Sequence, residues 1–215
     1  VAMSSAQLSV GIIILSLSAG FLTYYFLSDL AKEKKKEYGG ELLGQLMNFV
    51  IYMWVGKIVL NLPVFIKDPL SILSYPSNST AFYLAVIASV ITVTVQSKRQ
   101  KINSIPFLNA FISVFLVASF VYEFIQIAWN GNPYSMRYTG LLAVLIILFV
   151  VMRDRITVYR LNIIMFFSWS LGTLGVAFSM PFTTVFGYTI SPWFLVFFIV
   201  ACLLLLVLTK WRKVS

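Results

Sequence analysis

The chain has 215 residues, 60% of them hydrophobic and 11% charged, with a mean hydropathy of +0.92. A soluble domain of this length needs far more polar surface, so the composition specifies an integral membrane protein. The formal net charge is +9, with no His and one Cys, Cys202. This excludes an intrachain disulfide and removes the commonest general base and metal ligand. Neither a metal site nor a cofactor is expected.

Seven apolar segments follow in order: Gln7–Leu27, Glu41–Ile66, Thr80–Val95, Pro106–Trp129, Tyr138–Met152, Thr157–Phe182 and Tyr188–Thr209. A spanning helix needs roughly 20 apolar residues, so the short third and fifth runs are expected to extend into their polar flanks. Helices are the reasonable spanning element for such stretches. No cleavage-site pattern follows the first run, which reads as a retained helix. The expected fold is an all-α integral membrane protein, a single domain of seven transmembrane helices over residues 1–215.

The connections set an orientation. Lys32, Lys34, Lys35 and Lys36 lie between the first and second segments, and Lys98, Arg99 and Lys101 between the third and fourth. Arg153, Arg155 and Arg160 fall around the start of the sixth, and Lys210, Arg212 and Lys213 follow the seventh. Thirteen of the sixteen basic residues therefore share one side, against Lys67 and Arg137 on the other, with Lys57 inside the second segment. The positive-inside rule makes the rich side cytoplasmic, with the N-terminus outside and the C-terminus in the cytoplasm. The charge is thus a topology signal, attracted to anionic headgroups, and no nucleic-acid partner is expected.

The longest outer connection, Leu62–Ser79, reads LPVFIKDPLSILSYPSNS. Val64, Phe65, Leu70, Ile72 and Leu73 give it amphipathic spacing, that of a short interfacial segment, and its prolines break any continuous helix. Asn78-Ser79-Thr80 spells a glycosylation sequon, without other signs of a eukaryotic secretory route.

Two ionisable residues lie within apolar runs, where charge is expensive and usually faces a partner or a wet pocket. Lys57 is six residues before Pro63, and Glu123 is six before Trp129. Both lie roughly 9 Å below the outer boundary at the helical rise. Matching depth suggests an ion pair or shared pocket. The bland alternative is that Lys57 reaches outward alone while Glu123 is protonated or water-bonded. Asn48, Asn61, Asn109, Tyr122 and Gln126 read as interhelical hydrogen-bonding groups. Small residues on the sixth segment, from Ser168 to Ser179 and including Gly172 and Gly175, read as close helix packing. A small-walled groove for a lipid chain is the alternative.

The outer loop, continued to LPVFIKDPLSILSYPSNSTAFYLA, resembles that of bacterial prolipoprotein diacylglyceryl transferases, where an F-x-x-D-P-L stretch runs into Ser-Phe-His-Gly-Gly. Ser9–Glu41 is similar to that family's first helix and basic loop. Gly131-Asn132-Pro133 falls at its His-Pro approach to the fifth helix. Phe186-Gly187-Tyr188-Thr189-Ile190-Ser191-Pro192-Trp193 falls at its approach to the last, which often reads close to T-I-S-Q-W. The resemblance implies seven helices, a bacterial cytoplasmic membrane and a laterally open lipid pocket. It also implies transfer of diacylglycerol from phosphatidylglycerol to a lipoprotein Cys.

The chemistry-bearing motifs depart from that pattern. Tyr83, Leu84 and Ala85 stand where the family has His-Gly-Gly. Its Gly-Arg-x-Gly-Asn-Phe signature falls on Ser119-Phe120-Val121-Tyr122-Glu123-Phe124, putting Phe120 at the Arg and Glu123 at the Asn. Its downstream acidic position falls near Ala128. Its R-x-x-x-E pair falls on Thr173 and Ala177, and its second-helix Arg near Trp54. Phosphate recognition depends on guanidinium forks, so a catalytically degenerate relative is expected, binding phospholipid, a lipoprotein precursor or another membrane protein. A divergent active transferase and a small transporter subunit are the alternatives. Lys57, Glu123, Tyr83, Arg137 and Asn132 are the candidate binding residues, with Glu123 and Tyr83 the candidates for any surviving catalysis.

Overall fold

The computed structural model describes residues 5–70, 78–99, 101–132 and 134–200. Among the described residues 82% are helical, and six helices are long and apolar enough to cross a membrane. It is an all-α, multi-pass membrane protein. The helices are α1 (Ser5–Leu27), α2 (Lys32–Leu60), α3 (Leu62–Lys67), α4 (Ser79–Lys98), α5 (Ser104–Asn130), α6 (Ser135–Met152) and α7 (Val158–Ser179). A two-strand hairpin follows, β1 (Thr184–Val185) and β2 (Tyr188–Thr189), and then helical residues 192–200. Large apolar side chains stand exposed along the long helices, such as Ile14 and Leu22 on α1, Met47 and Ile51 on α2, and Val144 and Ile147 on α6. Hydrocarbon tolerates such a surface, because each helix satisfies its own backbone.

The chain divides into two compact units, Lys32–Phe107 and Val1–Ala31 with Leu108–Ser215. In the first unit α2 and α4 run antiparallel. Gln45 Nε2 donates to Gln96 Oε1 at 2.7 Å, and the Tyr52 and Thr92 hydroxyls bond at 2.7 Å. Farther along, Gly56 faces Ala81. Hydrogen bonds between such side chains join helices in a medium that gives apolar faces no drive to associate. α2 ends at Asn61, whose amide bonds the Lys57 carbonyl at 2.9 Å, and Pro63 opens α3. That short helix occupies the start of the expected interfacial segment; residues 71–77 of it, including Ile72 and Leu73, lie outside the described residues. Asn78 of the sequon caps α4, its side chain accepting from Ala81 N at 2.8 Å.

In the second unit α5 is the central strut. α1 crosses it at Gly20, where a Cβ would come within 2.6 Å of the Val114 carbonyl oxygen. α7 joins it through Asn109 Nδ2, which donates to Asn162 Oδ1 at 3.1 Å. The rings of Phe111, Phe115, Phe166 and Trp169 form a continuous apolar layer between these helices. α6 and α7 meet at Gly172, where a Cβ would approach Leu141 Cδ1 to 2.5 Å, and at Trp169 Nε1, which donates to Tyr138 Oη at 3.0 Å. At the far end of α6, Arg153 grips both carboxylate oxygens of Asp29 at 2.8 and 3.0 Å and the Leu27 carbonyl that ends α1.

Two boundaries differ from expectation. α2 begins at Lys32, not near Glu41, so the first lysine cluster is helical. Lys and Glu are good helix formers, and Lys34 pairs with Glu37 one turn on, at 2.6 Å. The start of the seventh segment, Tyr188–Thr189, is a strand paired with β1, and helix resumes only at residue 192. The rest of that segment, 201–209, lies outside the described residues.

Candidate functional site

The hairpin is the element that closes a site. Its turn places Phe186 at φ 50° and Gly187 at φ 83°, the paired left-handed conformation that two-residue hairpin turns require. Ile190 N donates to Thr183 O at 2.8 Å and shuts the base of the loop. The Phe186 ring lies 5.4 Å from the ring of Tyr122 on α5. Thr183 and Val185 are thereby buried, at 3% and 2% exposure.

Between the end of α5, the start of α6 and this hairpin lies a cavity of about 10 Å³, about the least that holds one water. Glu123, Asn132, Ser135, Tyr138, Thr183 and Thr184 line it, with Tyr134, Met180 and Phe182 completing the wall. Glu123 is 1% exposed. Ser135, in the first turn of α6, lines the cavity with it. No side chain caps that helix, and its free N–H groups favour negative charge nearby. Glu123 Oε1 nevertheless has no partner among the described residues, nor has Thr183 Oγ1. Asn132 Oδ1 accepts from Tyr134 N at 3.1 Å, fixing the linker into α6. The wall is rich in oxygen and carries no Lys or Arg.

The structure thus brings Glu123 and Asn132 to one cavity. Arg137 is not on its wall: its guanidinium donates to the Ser179 carbonyl at 2.8 Å, closing the end of α7. Lys57 and Tyr83 belong to the other unit. Lys57 is buried, its Nζ 5.1 Å from the centre of the Trp54 ring, a cation–π contact. Tyr83 is buried on α4, its ring against Phe82. Ser135, Tyr138 and Thr183 did not stand out in the sequence. Ser135 and Tyr138 share a face at i,i+3 spacing, a usable signal. Thr183 has none, because only the hairpin brings it inward.

Phe120, Thr173 and Trp54, where the resemblance expects arginines, hold no guanidinium. The Phe120 ring stacks on Phe124, 6.3 Å between centres. Thr173 is fully buried, and Trp54 lies against Lys57. Comparison with family models finds no match, and comparisons with curated proteins and with solved structures find none.

Proposed function

We propose that the protein is a catalytically degenerate relative of the prolipoprotein diacylglyceryl transferases, seven-helical in the bacterial cytoplasmic membrane with its N-terminus outside. It binds phospholipid, or a lipoprotein or other membrane partner, without transferring a diacylglyceryl group. The observation that carries this reading is the fate of the phosphate-gripping positions. Phe120 is committed to a ring stack, Thr173 to the core, and Trp54 to covering Lys57. A phosphodiester in a low-dielectric site needs charged, forked donors in the ground state and more of them in the transition state. The cavity at Glu123 presents a carboxyl with no Lys or Arg beside it on the wall, and an ionised carboxyl repels a phosphate. The Arg153–Asp29 grip supports the order of crossings, since it holds the ends of α1 and α6 at one face, as alternate crossings require.

The test uses purified full-length chain with phosphatidylglycerol and a lipobox peptide, followed by mass spectrometry. No thioether product is expected, while phospholipid stays bound to the protein in native spectra. Turnover refutes the degenerate reading, and a protein that retains no lipid refutes the binding role.

A further inference from the structure

Glu123 Oε1 and Thr183 Oγ1 come from distant parts of the sequence, line one cavity, and both lack a partner among the described residues. Their residues are 1% and 3% exposed. A buried polar atom left unbonded costs about 1–3 kcal/mol, so two on residues that line one cavity call for an occupant. We propose that this cavity binds a single dehydrated monovalent cation, sodium or potassium, between Glu123 and Thr183.

Size, charge and donor chemistry each support this occupant. The cavity, about 10 Å³, accepts one body the size of a water and excludes an organic ligand. Its wall supplies a carboxyl, hydroxyls and an amide oxygen, the hard donors that alkali and alkaline-earth ions prefer. No Lys or Arg on the wall offsets Glu123. A divalent ion fits less well, because the wall carries one carboxyl alone. Among the described residues no cluster of three His, Cys, Asp or Glu exists. The end of α7 reaches the wall at Met180, with Arg137 held at the neighbouring Ser179 carbonyl, and helix ends beside unwound backbone are where intramembrane cation sites recur. The start of α6, with Ser135 on the wall, works the other way. The ion therefore belongs on the Thr183 side, where it ties α5 to the hairpin. The inference is independent of any kinship with the transferases.

The competing occupant is one water beside a protonated carboxyl, and the two are separable. Direct binding of radioactive sodium to the purified full-length chain is measured by scintillation proximity, with potassium as competitor. Thermal unfolding is followed in sodium, potassium or N-methylglucamine chloride at equal ionic strength. One displaceable ion per chain is expected, with an unfolding midpoint that rises with sodium or potassium over N-methylglucamine. Glu123→Gln abolishes both effects. Thr183→Val weakens binding by about tenfold, as loss of one ligand implies, and remains informative should Glu123→Gln not fold. Absence of bound ion with equal midpoints in all three salts overturns the proposal and identifies a water. Binding unchanged in both variants overturns it equally.

Discussion

Gly187→Ala tests whether the hairpin is fastened to α5 as described. Gly187 has φ 83°, a region that costs an L-residue roughly 1–2 kcal/mol. The new Cβ would also stand 2.9 Å from Tyr122 Oη and 4.0 Å from Tyr122 Cζ. The first contact forces a shift, while the second is ordinary packing, so the clash resides in the hydroxyl. Overpacking of this kind costs about 1–3 kcal/mol. The sum is about 3 kcal/mol, or a fall of about 6–12 °C in unfolding midpoint for a chain of this size. In a Tyr122→Phe background the hydroxyl is gone, and the same substitution should cost only the roughly 1–2 kcal/mol of backbone strain. A double-mutant cycle by thermal unfolding in detergent isolates the difference. An alanine variant as stable as the parent, or an equal cost in both backgrounds, refutes the docking of the turn against Tyr122.

Gly172→Ala should destabilise by about 1–3 kcal/mol, because its Cβ would meet Leu141 at 2.5 Å. Leu141→Ala in the same chain should reduce that cost, read by the same unfolding assay, and no coupling between the two would contradict the α6–α7 contact. Orientation is checked by single cysteines in a Cys202→Ser background. Asp68→Cys should react with an impermeant maleimide in intact cells and Lys101→Cys only after permeabilisation, and the opposite pattern reverses the topology.

Much of the helical layout was legible because hydrocarbon demands long apolar runs, and six of those expected correspond to helices of spanning length. Of the two glycines expected to mark close packing, Gly172 does so, while a Cβ at Gly175 would meet open space. The start of α2 was hidden because a lysine cluster reads equally as loop or as helix, and the Lys34–Glu37 pair decides it. The hairpin was hidden for another reason. Thr184-Val185-Phe186-Gly187-Tyr188-Thr189 carries β-branched and aromatic flanks about an x-Gly turn, but it abuts an apolar run that dominates any reading by hydropathy. Glu123 announced itself as a charge out of place. Its companion Thr183 did not, since a hydroxyl at the end of an apolar segment looks like solvated loop until the chain turns back.

The Arg153 grip on Asp29 and Leu27 bears on how the chain is assembled. α1 leaves the ribosome ahead of the other described helices, yet Val114 on α5 and Arg153 after α6, which hold it, are synthesised only after the whole of Lys32–Phe107. That intervening unit is continuous in sequence and can pair α2 with α4 as soon as it is inserted. The first helix must meanwhile wait in the bilayer, and its berth is completed only when translation has passed residue 153.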